Sequence, residues 1–503
     1  MSRINTNIQS LIAQRVLGSN NTQLSQSLER LATGTKISRG KDDPAGLIAS
    51  EALSSEIRST NAAIANADRA DQVVNIAEGG LQEVSSLLTE LQGLITSTAS
   101  RAGLSDEEKQ ANQLQVDSIL QTIDRIASAT SFQGIKLLNG NFDFRVSGLA
   151  SGVADYRING AKFGGSSLNI NAIVTQSAQQ GGLFMSFGGA NLDLSSQNAS
   201  FTVEVRGSLG ARELTFSSGT TMSSIAAAIN TFKDVTGVEA RSSGTGVKLY
   251  SSNYGSSAFT SVKVVNDGGA AGNGVYRLAD TNFNASQTTG NTAFTAATNG
   301  VQDFGQDIKA TINGIQATTS GRTARINTDF LDVELTLGTS TSQTLGAVGS
   351  GGVTATVTGG GADFQLAGKV DIAGKVSMGI GDVAVRKLGS SNSGFLSTLA
   401  NGNTNNVVNG NLTNAQKVVS EAITQVSSLR GRLGAFQKNT IGATIRSLNV
   451  SVENSTAAQS VIRDSDFASE TAALTRSQIL VAASTNVLGL ANQTPQSVLQ
   501  LLG

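Results

Sequence analysis

The sequence predicts a multidomain protein with an all-α core, of coiled-coil or helical-bundle type, built from both ends of the chain. A small β-hairpin region and central α+β or β-rich outer domains complete the predicted fold class. Near both ends, apolar residues recur at alternating spacings of three and four, which is the period of coiled-coil helices. Between about Gly140 and Asn411 the chain becomes rich in Gly, Ser and Thr, with short runs that alternate in hydrophobicity.

Composition narrows the possible functions. The 503 residues include no Cys, His or Trp, which excludes thiol nucleophiles, disulfides, Cys/His zinc sites and imidazole catalysis. A carboxylate pair could still carry out acid–base chemistry, but we expect no enzyme, no cofactor and no metal site. The net charge of −1 and the absence of a basic run argue against nucleic-acid binding.

Membrane and signal segments are also not expected. The stretch "MSRINTNIQSLIAQRV" lacks the continuous apolar core of a signal peptide. No run approaches the roughly 18 apolar residues of a membrane-spanning helix. The aliphatic residues near the C-terminal end are interrupted by Ser, Thr, Asn and Gln, so we expect them to contact protein and not lipid.

Three inner helices carry the apolar stripes of a bundle. The second begins at a capping box, in which Ser105 is the N-cap and Glu108 follows three residues later. In the third, the stripe changes frame between Phe436 and Ile441, which breaks the heptad register. Any single stripe could be an ordinary core face; three together favour a bundle that joins both ends of the chain. The packing residues are Ala70, Val74, Ala77, Leu81, Val84, Leu88, Leu91, Ile95, Val116, Ile119, Ile123, Ile126, Val419, Ala422, Val426, Leu429, Leu433 and Phe436.

Two outer amphipathic segments lie beyond these helices, and each has one narrow aliphatic stripe. A solitary helix of this kind is marginal in water, so we expect each segment to fold against the other or against copies of itself. The two stripes therefore predict an assembly surface. Its residues are Ile4, Ile8, Leu11, Leu24, Leu28, Leu31, Leu480, Ala483, Val487, Leu490, Val498, Leu499 and Leu502.

A connector separates the outer and inner N-terminal helices in "LATGTKISRGKDDPAGLIASEAL". Gly34 and Gly40 interrupt the first helix, and Asp42 and Asp43 precede Pro44. Asp43 is a favourable N-cap, and proline is tolerated at the first helical position. The segment "VIRDSDFASE" near the other end offers three candidate N-caps for the last helix.

Several of these segments together resemble bacterial flagellin. They are "LSQSLERLATGTKISRGKDDPAGLIA", "EGGLQEV", "TSFQGIKLLNG", "ENSTAAQSVIRDSDFASETAALTRSQIL" and "LANQTPQSVLQLLG", in the order that the family shows. The resemblance covers about the first 140 and the last 95 residues. It implies a structural subunit that polymerises into the extracellular flagellar filament for motility, through coiled-coil pairing of its two end helices.

The resemblance also implies a division of the chain. Residues 1–44 form the N-terminal filament-core helix and connector, residues 45–175 and 401–460 the two parts of a helical inner domain, and residues 461–503 the C-terminal filament-core helix. Residues 176–400 form variable outer domains. These include an insertion-type α+β unit at about 200–268 and a looser second copy at about 301–370.

Partners follow from the same resemblance. They are other copies of the chain, the filament cap and hook-junction proteins, the type III export apparatus, and an export chaperone on the C-terminal helix at about Ala468 to Gly503. Export by this route needs no cleavable signal peptide. The many Ser and Thr residues of the central region are either O-glycosylation sites, as in many flagellins, or solvated turn residues.

Two alternatives to a filament subunit stay open from the sequence. A hook–filament junction protein shares flagellin-like ends, although its C-terminus seldom matches "ANQTPQSVLQLL" so closely. An adhesin or enzyme displayed on the filament would instead act through its central region.

One departure from the family generates a prediction about immune detection. Many flagellins are recognised by a toll-like receptor through an arginine, a leucine and a glutamate of the inner-domain helices. The motif alignment places Glu90, Leu94 and Gln115 at those positions. Because charge reversal at a hot-spot arginine costs several kcal/mol, we expect weak receptor activation by purified filaments in reporter cells. Strong activation at low concentration would contradict this expectation.

Overall fold

The structure is a computed structural model that describes residues 6–100, 103–196, 198–270, 272, 274–278, 288–391 and 393–500, the last seven without their side chains. Two compact units divide the chain. The terminal unit contains Met1–Gln72, Phe364–Lys375 and Ala435–Gly503, and the central unit contains Val73–Asp363 and Val376–Gly434. Helices at both ends and antiparallel sheets between them confirm the predicted fold class.

The α-helices of the described residues lie mainly toward the two ends of the chain. They are α1 Ile8–Thr33, α2 Pro44–Thr98, α3 Asp106–Ala129, α4 Met222–Thr231, α5 Lys233–Thr236, α6 Thr339–Gln343, α7 Leu412–Ala435, α8 Gly442–Arg463 and α9 Phe467–Gln500. None of these, over the described residues, is long and apolar enough to cross a membrane.

Local sequence explains where these helices begin and end. Gly34 takes the left-handed conformation after α1, with φ of 71°, and its N–H donates to Arg30. The side chain of Asp43 accepts the N–H of Gly46 at 3.0 Å, and α2 then starts at Pro44. Both hydrogen bonds of the predicted capping box are present at the start of α3.

The register break in the last inner stripe corresponds to a π-helical turn, Phe436–Ile441, between α7 and α8. A π-turn closes hydrogen bonds five residues apart, so it adds one residue to the helix without breaking it. This spacing equals the step from Phe436 to Ile441, which is fully buried. The turn therefore buries Ile441 itself, whereas α8 beyond it contains no fully buried residue.

In the central unit, the C-terminal half of α2 lies with α3 and α7. The amide of Asn112 in α3 donates to the Thr98 hydroxyl at 3.0 Å, and Arg430 in α7 pairs with Glu78 at 2.8 Å. The stripe residues that the sequence assigned to these helices are buried, except for Ile126 and Phe436, which are half-buried. The three helices thus share an apolar interior bordered by polar links.

Short strands make up most of the rest of the central unit, and every pairing recorded among them is antiparallel. They are β1 Ser131–Phe132, β2 Ile135–Lys136, β3 Phe144–Ser147, β4 Val153–Ala161, β5 Leu168–Ile170, β6 Ala172–Gln176, β7 Gly182–Ser186, β8 Ser200–Gly207, β9 Ala211–Ser217, β10 Val238–Ser243, β11 Gly246–Ser251, β12 Phe259–Asn266, β13 Gly274–Leu278, β14 Thr288–Thr292, β15 Val301–Phe304, β16 Lys309–Ile312, β17 Ile315–Gln316, β18 Thr318–Ser320, β19 Thr323–Asn327, β20 Leu331–Leu337, β21 Gly346–Val348, β22 Ala355–Gly360, β23 Ala362–Gln365, β24 Lys375–Met378, β25 Gly389–Ser390 and β26 Gly394–Phe395.

These strands enclose two apolar cores. One is formed by residues between Phe144 and Ala178 together with residues between Ile308 and Val357, joined by the long pairing of β4 with β20. The other lies within the intervening segment, from Leu183 to Val301. The second core is therefore inserted, in sequence, into the first.

The inserted core contains the predicted α+β unit. The unit consists of β8–β12 together with α4, a helix of 10 residues. Asn230 at the end of α4 pairs its amide with both the N–H and the C=O of Ala240, each at 2.8 Å. Because β10 is the edge strand of its sheet, Asn230 satisfies backbone groups that the edge would otherwise leave open.

Candidate functional site: an assembly surface on the end helices

The two end helices, α1 and α9, pair antiparallel. Asn7, the N-cap of α1, donates to the backbone oxygen of Ala491 at 2.7 Å. Near the other end of the pair, Arg30 lies 3.9 Å from Glu470. Backbone hydrogen bonds beyond the helix ends, from Lys36 to Arg463 among them, close the pair at the connector.

The fully buried residues of the seam between these helices are small or polar. In α1, Ala13, Asn20 and Ser27 are buried at intervals of seven, and in α9 Ser477 and Ser484 are buried at the same interval. This is a heptad seam whose alternate positions hold half-buried aliphatic residues: Leu17, Leu24, Leu31, Leu474, Val481 and Leu488. Small residues allow close approach of the two helix backbones.

Asn20 is the central polar contact of the seam. Its amide nitrogen donates to the Ser484 hydroxyl at 2.7 Å and lies 3.4 Å from the backbone oxygen of Leu480. Ser10 adds a second polar contact, to Asn492 at 2.7 Å. Directional hydrogen bonds of this kind hold one register, because a shift along the helix would leave buried polar groups without partners.

Most of the predicted assembly residues whose side chains are described lie outside this seam. Leu11 is 58% exposed and Leu490 is 65% exposed, although both are large aliphatic side chains on well-formed helices. Of the remaining predicted residues, Ile8, Leu28, Leu480, Ala483 and Val487 are exposed, and Leu24 and Leu31 are half-buried. Ile4 and Leu502 lie outside the described residues, as do the side chains of Val498 and Leu499.

Sequence reasoning missed part of the α1–α9 pairing and part of its exposed aliphatic surface. It did not identify the seam, and it omitted three further exposed aliphatic residues, Ile12, Val16 and Ile479. A signal for the seam was present in the seven-residue repeat of Ala13, Asn20 and Ser27. An apolar stripe alone does not distinguish a face that is buried within one chain from a face that binds another chain.

Local hydrogen bonds order the connector that follows α1 and the N-terminus of α9. Asp42 accepts the N–H of Arg39 at 3.0 Å, and Gly40 lies beside Leu47. At α9 the cap is Asp466, whose carboxylate accepts the N–H of Ala468 at 2.9 Å. Glu90 and Gln115, the two immune-receptor positions, are exposed on the inner helices.

A cavity of about 400 Å³ in the central unit is the alternative candidate for a site. Its lining includes Asp143, Arg325 and Arg432 within a set of four acidic and four basic side chains, so it presents no net charge to a ligand. Arg325 is engaged by Asp332 at 3.0 Å, and Arg432 donates to Asn159. Burial lowers the pKa of Arg432 and raises the pKa of Asp143. The acidic and basic side chains thus neutralise one another, which is typical of a structural ion network.

Metal binding has no support in the described part of the chain, where no group of three or more acidic side chains is placed to hold an ion. The end-helix surface is therefore the feature that best suits a function.

Comparisons with known proteins agree with the features above. Three family models match: "Bacterial flagellin N-terminal helical region" at residues 4–143, "Bacterial flagellin C-terminal helical region" at 416–502 and "Flagellin hook IN motif" at 191–252. Together they cover more than half of the chain. The third match falls on the predicted α+β insertion.

Similar curated proteins extend over the whole chain. B-type flagellin of Pseudomonas aeruginosa is 29% identical over 99% of both chains, and Flagellin D of Vibrio anguillarum is 26% identical over 99% of both. Among solved structures, FliC of Burkholderia pseudomallei has 15% identity, covers 73% of this chain and 99% of its own, and has a TM-score of 0.23.

The seam analysis predicts that Asn20 contributes to stability and that its exposed neighbour Asn21 does not. Asn20→Ala should lower the free energy of unfolding of the terminal unit by about 1–2 kcal/mol, because the Ser484 contact is lost inside the seam. Asn21→Ala is the matched control and should change stability by less than about 0.5 kcal/mol. Urea titration followed by circular dichroism measures both, and equal effects would contradict the seam.

Proposed function

The chain belongs to the flagellin family and is a structural subunit that polymerises into the extracellular bacterial flagellar filament; on this premise we propose that the exposed aliphatic faces of α1 and α9 bind neighbouring subunits. The hook-junction and displayed-adhesin alternatives are not favoured, because the relatives matched over the whole chain are flagellins. The proposed function includes no catalytic step and no cofactor.

A single observation carries the proposal: α1 and α9 pair and still leave large aliphatic residues, Leu11 and Leu490 among them, more than half exposed. Burial of an aliphatic side chain contributes about 1.5–3 kcal/mol, and exposure of several on one pair of helices is correspondingly unfavourable. A contiguous exposed apolar surface on a soluble protein marks an interaction site. For a chain that polymerises, the occupant of that surface is another copy of the same chain.

The proposal extends to the division of the chain. Residues 1–44 and 461–503 form the filament core, residues 45–175 and 401–460 an inner domain, and residues 176–400 the outer domains. The insertion, in sequence, of one β core into the other supports an outer region that can vary without altering the helices. The proposed insertion copies lie at about 200–268 and 301–370.

Export is the finer part of the proposal. We propose secretion without a signal peptide through the type III apparatus, with an export chaperone on α9 until assembly and with contacts to cap and hook-junction proteins afterwards. The exposed aliphatic face of α9 supports this, because a helix with such a face needs a cover before polymerisation.

Export predicts a clear effect of deletion. A chain that lacks residues 461–503 should accumulate inside a flagellated host cell in place of the culture medium, because the proposed chaperone site is gone. Immunoblots of cells and medium measure this. A truncated chain that is secreted at the level of the intact chain would contradict the chaperone site on α9.

Assembly predicts a selective effect of surface polarity. The double variant Leu11→Gln/Leu490→Gln should raise the critical concentration for polymerisation by at least about tenfold, since each lost contact removes about 1 kcal/mol or more of association free energy. The monomer should stay as stable as the wild type, because both side chains are exposed. Sedimentation and electron microscopy measure the polymer, and circular dichroism measures the monomer.

The matched control for this variant lies in the central unit. Leu209 is 62% exposed, close to the exposure of Leu490, and Leu209→Gln should leave the critical concentration unchanged. If both variants polymerise like the wild type, the aliphatic faces of α1 and α9 are not the subunit contacts.

A further inference from the structure

A loop of the terminal unit, residues 366–374, holds two aliphatic side chains in solvent. It follows β23 and precedes β24, far in sequence from the end helices. Val370 is 93% exposed and Ile372 is 50% exposed, whereas Leu366 at the base of the loop is buried. No element of the described residues covers the tip of this loop.

Hydrogen bonds hold the 366–374 loop in one shape. The backbone N–H of Leu366 donates to the oxygen of Gly374 at 2.9 Å and closes the base. The amide of Gln365 donates to the backbone oxygen of Lys369 at 2.6 Å, and Asp371 accepts the N–H of Gly374 at 2.7 Å. The tip is therefore preorganised, so binding through it orders few additional groups.

The loop is also seated firmly on the helices of its own unit. A Cβ atom on Gly368 would lie 3.0 Å from the Ser59 hydroxyl of α2, so this close approach suits glycine. Phe364, just before the loop, packs against Phe436 of the π-helical turn, with ring centroids 6.1 Å apart. Thus the loop is braced on its N-terminal side, and Val370 and Ile372 are its exposed large aliphatic side chains.

The occupant can be inferred from where exposed aliphatic residues lie. More than half of the exposed large apolar side chains of the described residues belong to the terminal unit, which holds less than a third of the chain. The 366–374 loop is part of this unit, together with the aliphatic faces of α1 and α9. An apolar tip in the same unit as the assembly surface suits the same partner.

We propose that the tip of the 366–374 loop, Val370 and Ile372, binds a second copy of this chain in the filament. The contact is separate from the α1–α9 surface, and it rests on the proposed function because it exists only in the polymer. The loop adds an apolar contact between subunits that comes from the middle of the sequence.

Absence of cysteine from the chain allows a direct test. Three single-cysteine variants are made in the full-length chain: Val370→Cys for the loop, Leu490→Cys for the α1–α9 surface and Leu209→Cys as the exposed control. Each is labelled with a maleimide reagent as monomer and as filament. We expect labelling of Val370→Cys to slow at least about tenfold on polymerisation, since thiol reactivity follows exposure, while Leu209→Cys is labelled at a similar rate in both states.

The outcomes separate the two proposals. Equal labelling of Val370→Cys in monomer and filament, with Leu490→Cys protected, overturns the loop contact and leaves the α1–α9 surface standing. Protection of Val370→Cys alone supports the loop and contradicts the α1–α9 surface. If Val370→Cys folds as a monomer but fails to polymerise, the loop is required for assembly. Should that variant misfold, Ile372→Cys replaces it and is read by the same criteria.

Discussion

The antiparallel pairing of α1 with α9, in which the fully buried side chains are small or polar, is the interaction on which the terminal unit depends. Ala13, Ser27 and Ser477 bring the two backbones close, and the Asn20–Ser484 hydrogen bond holds the register. Had the exposed aliphatic residues also turned into this seam, the pair would be more stable alone and would offer little apolar surface to other subunits. The seam instead leaves these residues accessible.

The central unit follows the opposite principle. Its helices and both of its β cores bury large apolar residues. Strands distant in sequence, such as β4 and β20, close the core into which the other is inserted in sequence. Asn230 satisfies an open strand edge with its amide, which protects against edge-to-edge pairing. Relative to its length, the central unit therefore exposes fewer large apolar side chains than the terminal unit, which leaves part of its apolar surface for a partner.

Local features could be predicted from the sequence because their causes are local. The capping box at Ser105, the helix start at Pro44 and the frame shift at Phe436 each depend on residues within one or two turns, and the structure contains all three. The strands of the α+β insertion were recognisable by alternation. The seam and the 366–374 loop were not predictable in this way. Asn20 meets Ser484, and Gly368 meets Ser59, only after distant segments come together.

The division between a partly polar seam and exposed aliphatic faces also has a consequence for a protein that polymerises. Polar contacts such as Asn20–Ser484 lose little free energy when water replaces the partner, so the helix pair can separate more readily than a coiled coil with buried aliphatic side chains at every seam position. Aliphatic faces, by contrast, gain most when water is removed from both sides at once, which happens only when another subunit arrives. The end helices are thus stabilised less by their contacts within one chain than by the contacts that they make in the polymer. A preorganised loop such as 366–374 adds to this second step without stabilising the first, because its exposed side chains contribute nothing until a neighbour covers them.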